Sequence, residues 1–209
     1  MSLCQNEQMA GLITHTGKIA VVPGDNIDTD RIIPARFLTR VSRTGYGELL
    51  FCDVRTADFP LDRPEARGAS ILVSGTNFGC GSSREHAVWA IQQAGFVAVV
   101  ALKTDKSLGY SDIFRGNAGT CGLLLIELEP GAHAELVALG SGAEVAIDLP
   151  AQLIRIPRKT LPFEINAVTK AAILEGLDLI GTTLRFDEQI TAYEATNRNF
   201  VPAAAAEVR

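Results

Sequence analysis

The 209-residue sequence has no long apolar run, and nothing in it approaches the roughly 20 residues that a membrane-crossing helix needs. Its first residues, MSLCQNEQM, lack the basic and apolar regions of a secretory signal, so a cytoplasmic location is expected. Cysteine is scarce and scattered. Cys4, Cys52, Cys80 and Cys121 show no C-x-x-C spacing, which favours reduced thiols over a disulfide framework and offers no thiolate set for an iron–sulfur cluster. His15, His86 and His133 stand equally far apart, which argues against zinc. Basic charge is also in deficit: 19 Lys and Arg against 24 Asp and Glu give a net charge of -5, unlike a nucleic-acid binder. Internal repeats and low-complexity stretches are absent. With 47% hydrophobic and 21% charged residues, the chain reads as one globular unit with a good core.

What is present centres on Ala69 to Leu102. Ala69–Gly75 and Phe96–Leu102 are uninterrupted apolar runs, the pattern of buried strands in a parallel sheet. Between them Ala87, Ala90, Ile91 and Ala94 recur at helical spacing, and Gly95 stands where a helix C-terminal glycine belongs. The unit is a βαβ crossover, for which a right-handed connection is the rule. In its loop, TNFGCGSS, Gly79 and Gly81 permit a sharp turn and close approach to a ligand. Ser82 with Glu85 fits a capping box, which predicts a helix starting at Ser82 with the N–H groups of Ser83, Arg84 and Glu85 free. That end, with two hydroxyls and a guanidinium, suits a carboxylate or phosphate; plain helix capping explains the same residues. Neither a Walker A loop nor G-x-S-x-G fits.

Elsewhere, Lys18–Val22 reads as a strand, and DNIDTD after it as Asx turns, with turn chemistry sufficient for Asp28. Arg31, Arg36, Arg40 and Arg43 fall within thirteen residues that contain no acid. Such a run is either a solvated face or a source of bidentate carboxylate recognition. Phe51–Arg67 reads as a long surface loop. Glu127–Leu149 predicts strand, short helix and strand, with Gln152–Ile156 pairing back around Pro150. Asn166 predicts a helix through Glu175 that stops at Gly176, and Asp187 a final helix through Thr196. Trp89 reads as packing, and His86 either as packing or as an orienting partner of a serine or arginine.

NFGCGSSREHA (Asn77 to Ala87) resembles the signature of the aconitase superfamily's swivelling domain, and GDNIDTDRIIPARFL (Gly24 to Leu38) resembles its second signature. SRTGYG, SDIFRGNAGTCGLL and FEINAVTKAAILEGLDLIGTTL extend the likeness in order, from about Thr16 to Ala195. The resemblance implies an α/β fold, a swivelling β/β/α domain whose central βαβ unit is followed by a C-terminal helical segment. One domain would span 1–209, with a core over about 16–160, a helical extension over about 161–198 and a frayed tail at 199–209. It also implies a hydro-lyase that removes and re-adds water on a malate-type hydroxy acid. This chain would be active only with a separate large subunit that carries a [4Fe-4S] cluster, while binding no metal itself. By the same resemblance Ser82 is the catalytic base, and Ser83, Arg84 and Arg43 bind substrate, with Arg36 and Arg40 as weaker candidates than Arg43. Thr29, Asp30, Asn77, Gly79, Gly81 and His86 would support them from behind. A non-catalytic anion-binding module, or a serine hydrolase using one of the histidines, would leave DTDRIIP and FEINAV unexplained.

Overall fold

Four short parallel strands form the spine of the computed structural model, which describes residues 11–40, 42–82, 84–177 and 179–196. They are β1 (Thr14–Val21), β2 (Ala69–Ser74), β3 (Ala98–Leu102) and β4 (Leu124–Leu128). Three antiparallel strands follow: β5 (Glu144–Asp148), β6 (Leu153–Ile156) and β7 (Lys159–Pro162). The hydrogen-bonded order is β4-β3-β2-β1-β5-β6-β7.

Strand alternation divides the core in two. Ala20, Leu72, Val99 and Ala101 face helices α2 (Glu85–Gln93) and α3 (Asp112–Cys121), which bury Ala87, Val88, Ile91, Phe114 and Ala118 against them. Ile19, Ile71, Val73, Val100 and Ile126 point the other way, onto Val145, Ile147, Ile154 and Leu161 of the antiparallel strands. The curled sheet therefore packs on itself, with Leu136 of helix α4 (Pro130–Ala138) in the same cluster and helices α2 and α3 on the other face of the parallel half. Two neighbouring residues show how far the sheet curls. The Phe163 N–H bonds the Gln152 carbonyl at 3.0 Å beside β6, while Glu164 bridges Glu127 of β4 at the opposite end.

The βαβ unit, the β5–β6 hairpin and α5 (Ala167–Glu175) with its Asn166 cap and left-handed Gly176 match the sequence expectations. Four features differ. Helix α2 begins at Glu85 rather than Ser82. Strand β7 was not anticipated, and helix α6 (Leu179–Leu184), though inside the expected helical extension, was not singled out. Phe51–Arg67 is no loose loop: Phe51, Phe59 and Ala66 are buried, and Pro60–Asp62 and Pro64–Ala66 form 3-10 turns. The last helix, α7 (Asp187–Thr196), lies where expected, and the 199–209 tail falls outside the described residues.

Candidate active site

The carboxyl ends of β1 and β2 feed two loops that are laced together, at the edge where open α/β sheets bind ligands. Main-chain bonds run from Gly75 N–H to Gly24 O (3.2 Å), Asn26 N–H to Thr76 O (2.9 Å), Gly79 N–H to Ile27 O (2.7 Å) and Thr29 N–H to Cys80 O (3.0 Å). Side chains add to the lacing: Asp25 Oδ1 accepts from the Thr76 N–H and Asn26 Oδ1 from Asn77 Nδ2, each at 2.7 Å. The two sequence signatures thus form one rigid floor. A third loop braces it, with the Leu108 and Gly109 carbonyls accepting from the N–H groups of Asn77 and Phe78. Gly79 and Gly81 both have positive φ, 72° and 85°. Thr29 is buried behind the loop, where a Cβ on Gly81 would lie 3.7 Å from Thr29 Oγ1.

Ser82 stands exposed at the tip. Its hydroxyl accepts a hydrogen bond from Arg84 Nη2 at 3.1 Å, and Arg84 Nη1 lies 3.5 Å from Asp30 Oδ1. Asp30, Arg84 and Ser82 therefore form a chain across the two loops. The expected capping box does not form, because Arg84 itself occupies the N-cap, in extended conformation and without a side-chain cap. Extended backbone at Arg84 delays the helix until Glu85. The Ala87 N–H already bonds the Arg84 carbonyl, so with the helix starting at Glu85 the donors left over in its first turn are those of Glu85 and His86. Ser83 lies outside the described residues.

The arginine run separates by partner. Arg36 is gripped bidentately by Asp53, which raises the guanidinium pKa and lowers that of the carboxyl. Arg40 donates to the Gly45 carbonyl at 3.3 Å and stacks near Phe37. Arg43 lies with its guanidinium carbon 5.3 Å from the centre of the Trp89 ring on α2. His86 packs between Trp89 and Tyr46, at 4.6 and 5.5 Å between ring centres. Burial foremost, then the charges of Arg84 and Arg43, push the His86 pKa down against the pull of Glu85, so its ring is neutral near pH 7. Asp28 caps the short helix α1 (Thr29–Ile32) through the Arg31 N–H, the turn chemistry expected of it.

Ser111 was not anticipated as part of this floor. Its hydroxyl donates to the Gly79 carbonyl at 2.7 Å while also accepting from the Phe114 N–H at 3.3 Å as the cap of α3. Only its place before Asp112 hinted at the second of these tasks. The Cys80 thiol is pushed up by burial and by Asp28, so it remains protonated. Among the described residues no three His, Cys, Asp or Glu side chains are grouped to hold a metal ion, and Cys52, Cys80 and Cys121 are separate free thiols. These residues do not fit an iron–sulfur cluster.

A glycine loop at the carboxyl ends of parallel strands, with the Ser82 hydroxyl and the Arg84 guanidinium beside a helix N-terminus, places the chain among α/β domains whose exposed strand-end loop is the candidate site. Residues 9–131 match the aconitase C-terminal domain family. The chain is 44% identical to the 3-isopropylmalate dehydratase small subunit of Chloroflexus aggregans over 90% of this chain and 95% of that protein. It is likewise 44% identical to the small subunit from Anaeromyxobacter dehalogenans, over 87% of this chain and 95% of that one. The crystal structure of a 3-isopropylmalate dehydratase from Methanocaldococcus jannaschii is similar, with a TM-score of 0.63, 31% identity, and coverage of 87% of this chain and 99% of that one. The chain belongs to the family of 3-isopropylmalate dehydratase small subunits, built on the aconitase C-terminal domain.

Proposed function

We propose that this chain is the small subunit of a 3-isopropylmalate dehydratase. Joined to a large subunit as a heterodimer or heterotetramer in the cytoplasm, it interconverts 2- and 3-isopropylmalate by dehydration and rehydration in leucine biosynthesis. The relatives matched over some nine-tenths of the chain support the reading. The observation that carries the site is the Asp30–Arg84–Ser82 chain at the exposed tip of the loop.

Removal of water needs a base for a carbon-bound proton and a Lewis acid for the departing hydroxide. In this reading the Lewis acidity is supplied by a [4Fe-4S] cluster of the large subunit. Ser82 takes the proton as an alkoxide and returns it in the hydration step. A serine hydroxyl is a poor base at neutral pH. The Arg84 guanidinium at 3.1 Å lowers the cost of the alkoxide, because it is in place before charge develops. At 3.5 Å, Asp30 holds the other arm of Arg84 loosely, leaving N–H groups for a substrate carboxylate. Arg43 meets a second carboxylate. Ser83 assists, and Thr29, Asn77, Gly79, Gly81 and His86 keep the loop in shape.

The test is an anaerobic assay of the chain mixed with cluster-loaded large subunit, comparing isopropylmalate, citraconate and homoaconitate. Isopropylmalate turnover is expected, falling about 10³-fold or more in kcat for Ser82→Ala. Arg84→Lys, which loses the two-armed fork, is expected to raise KM and lower kcat together. Turnover by this chain alone would sink the two-subunit reading. Turnover of only citraconate, homoaconitate or a dimethylmalate would assign the chain to a sibling hydro-lyase.

A further inference from the structure

The segment that carries Arg43 has an unusual anchorage. Arg43, Thr44, Gly45 and Tyr46 have the sequence of a β-turn, with Gly45 at φ 83° in the third position, where a type II turn requires positive φ. In a closed turn the Arg43 carbonyl would accept from the Tyr46 N–H. Here both groups turn instead to one side chain at the end of α2. Gln93 Oε1 accepts from the Tyr46 N–H at 2.8 Å, and Gln93 Nε2 donates to the Arg43 carbonyl at 2.7 Å. The carboxamide stands where the turn's own hydrogen bond would be. Along the same helix, one turn earlier, Trp89 presents its ring to the Arg43 guanidinium. Helix α2 thus grips Arg43 at its backbone and beside its charge, while its other end begins at Arg84.

We propose that Gln93 is a positioning residue for substrate binding: it holds the Arg43–Tyr46 turn open and fixes the arginine against α2. The proposal rests on the reading that Arg43 meets a substrate carboxylate. Without the carboxamide, the freed carbonyl and N–H satisfy each other by closing the turn, since leaving both unpaired is costly. Closure draws the Arg43 backbone off α2 and misplaces its guanidinium. An arginine that binds substrate and transition state alike changes KM when misplaced and leaves kcat nearly intact.

The test uses the complete enzyme, reconstituted with its large subunit, and isopropylmalate as substrate. Gln93→Ala is expected to raise KM about tenfold with kcat within about twofold. Gln93→Glu keeps an acceptor for the Tyr46 N–H but puts a carboxylate against the Arg43 carbonyl, so a comparable KM rise is expected. In an Arg43→Ala background, itself raised in KM, Gln93→Ala is expected to add nothing, the signature of two residues acting through one contact. An unchanged KM in Gln93→Ala, beside a raised KM in Arg43→Ala, overturns the positioning role. So does a Gln93→Ala enzyme that loses thermal stability and kcat at unaltered KM, or one whose effect persists undiminished without Arg43. If Arg43→Ala leaves KM unchanged, the substrate role of Arg43 fails first and takes the proposal with it.

Discussion

Gly79 answers two demands at a single residue. Its φ of 72° lies in the left-handed region, and a Cβ placed on it would sit 2.2 Å from the Phe114 ring. Neither constraint can relax alone, because the Gly79 N–H and carbonyl are both engaged, by Ile27 and by Ser111. Gly79→Ala is therefore expected to destabilise the chain by about 2–4 kcal/mol, combining left-handed strain with overpacking. Urea unfolding of the isolated chain measures this as a lowered midpoint with unchanged slope. A loss of stability below about 0.5 kcal/mol would mean that the loop moves freely off Phe114, and the rigid floor under Ser82 would have to be abandoned.

At the scale of the element, Ser111 couples helix α3 to the glycine loop. Ser111→Ala removes the cap and the Gly79 contact together and is expected to cost about 1–2 kcal/mol. Ser111→Asp keeps an acceptor for the Phe114 N–H but has no proton for the Gly79 carbonyl. It should retain more thermal stability than Ser111→Ala while losing activity in the reconstituted enzyme, and equal behaviour of the two would deny the coupling. Elements differ in how legible they are. Helix α5 was readable because Asn166 and Gly176 act within their own few residues. The start of α2 was not, since the Ser82 hydroxyl is taken by Arg84 and the preceding loop is pinned extended by β1's loop at Asp28 and Thr29. Strand β7 has no alternation and carries Pro162; pairing with β6 makes it a strand. The partner that occupies Arg36, Asp53, lies outside the acid-free run that drew notice to it. Local signals were legible, whereas non-local partners were not.

For the whole molecule, the histidines set how stability responds to mild acid. His15, His86 and His133 all have pKa values held below 6.5, with burial the leading cause in each. The unfolded chain then takes up protons that the folded one refuses. Stability is fully present above pH 6.5 and declines as pH falls below it, until each folded-state pKa is reached. Carboxylates with lowered pKa, such as Asp148 beside the Ala151 N–H and Arg155, add their loss only further down, below 3.8. Urea midpoints should fall between pH 7.5 and 5.5. The slope should flatten in His133→Asn, which removes the titration of a ring bonded to the Ser74 carbonyl at 2.7 Å. A midpoint that is level across this range, or highest at its acid end, would contradict the assignment.

The meeting of Phe163 and Glu164 with the two ends of the sheet bears on how the chain resists association with its own copies. A sheet margin with unpaired N–H and C=O groups invites another copy to add a strand, the first step toward a fibril. Here the margin of β4 is met at Glu127, and β7 is four residues long and ends at Pro162, which has no N–H to offer. One bridge on one margin and a strand-ending proline on the other thus leave less open edge on which another copy could add a strand.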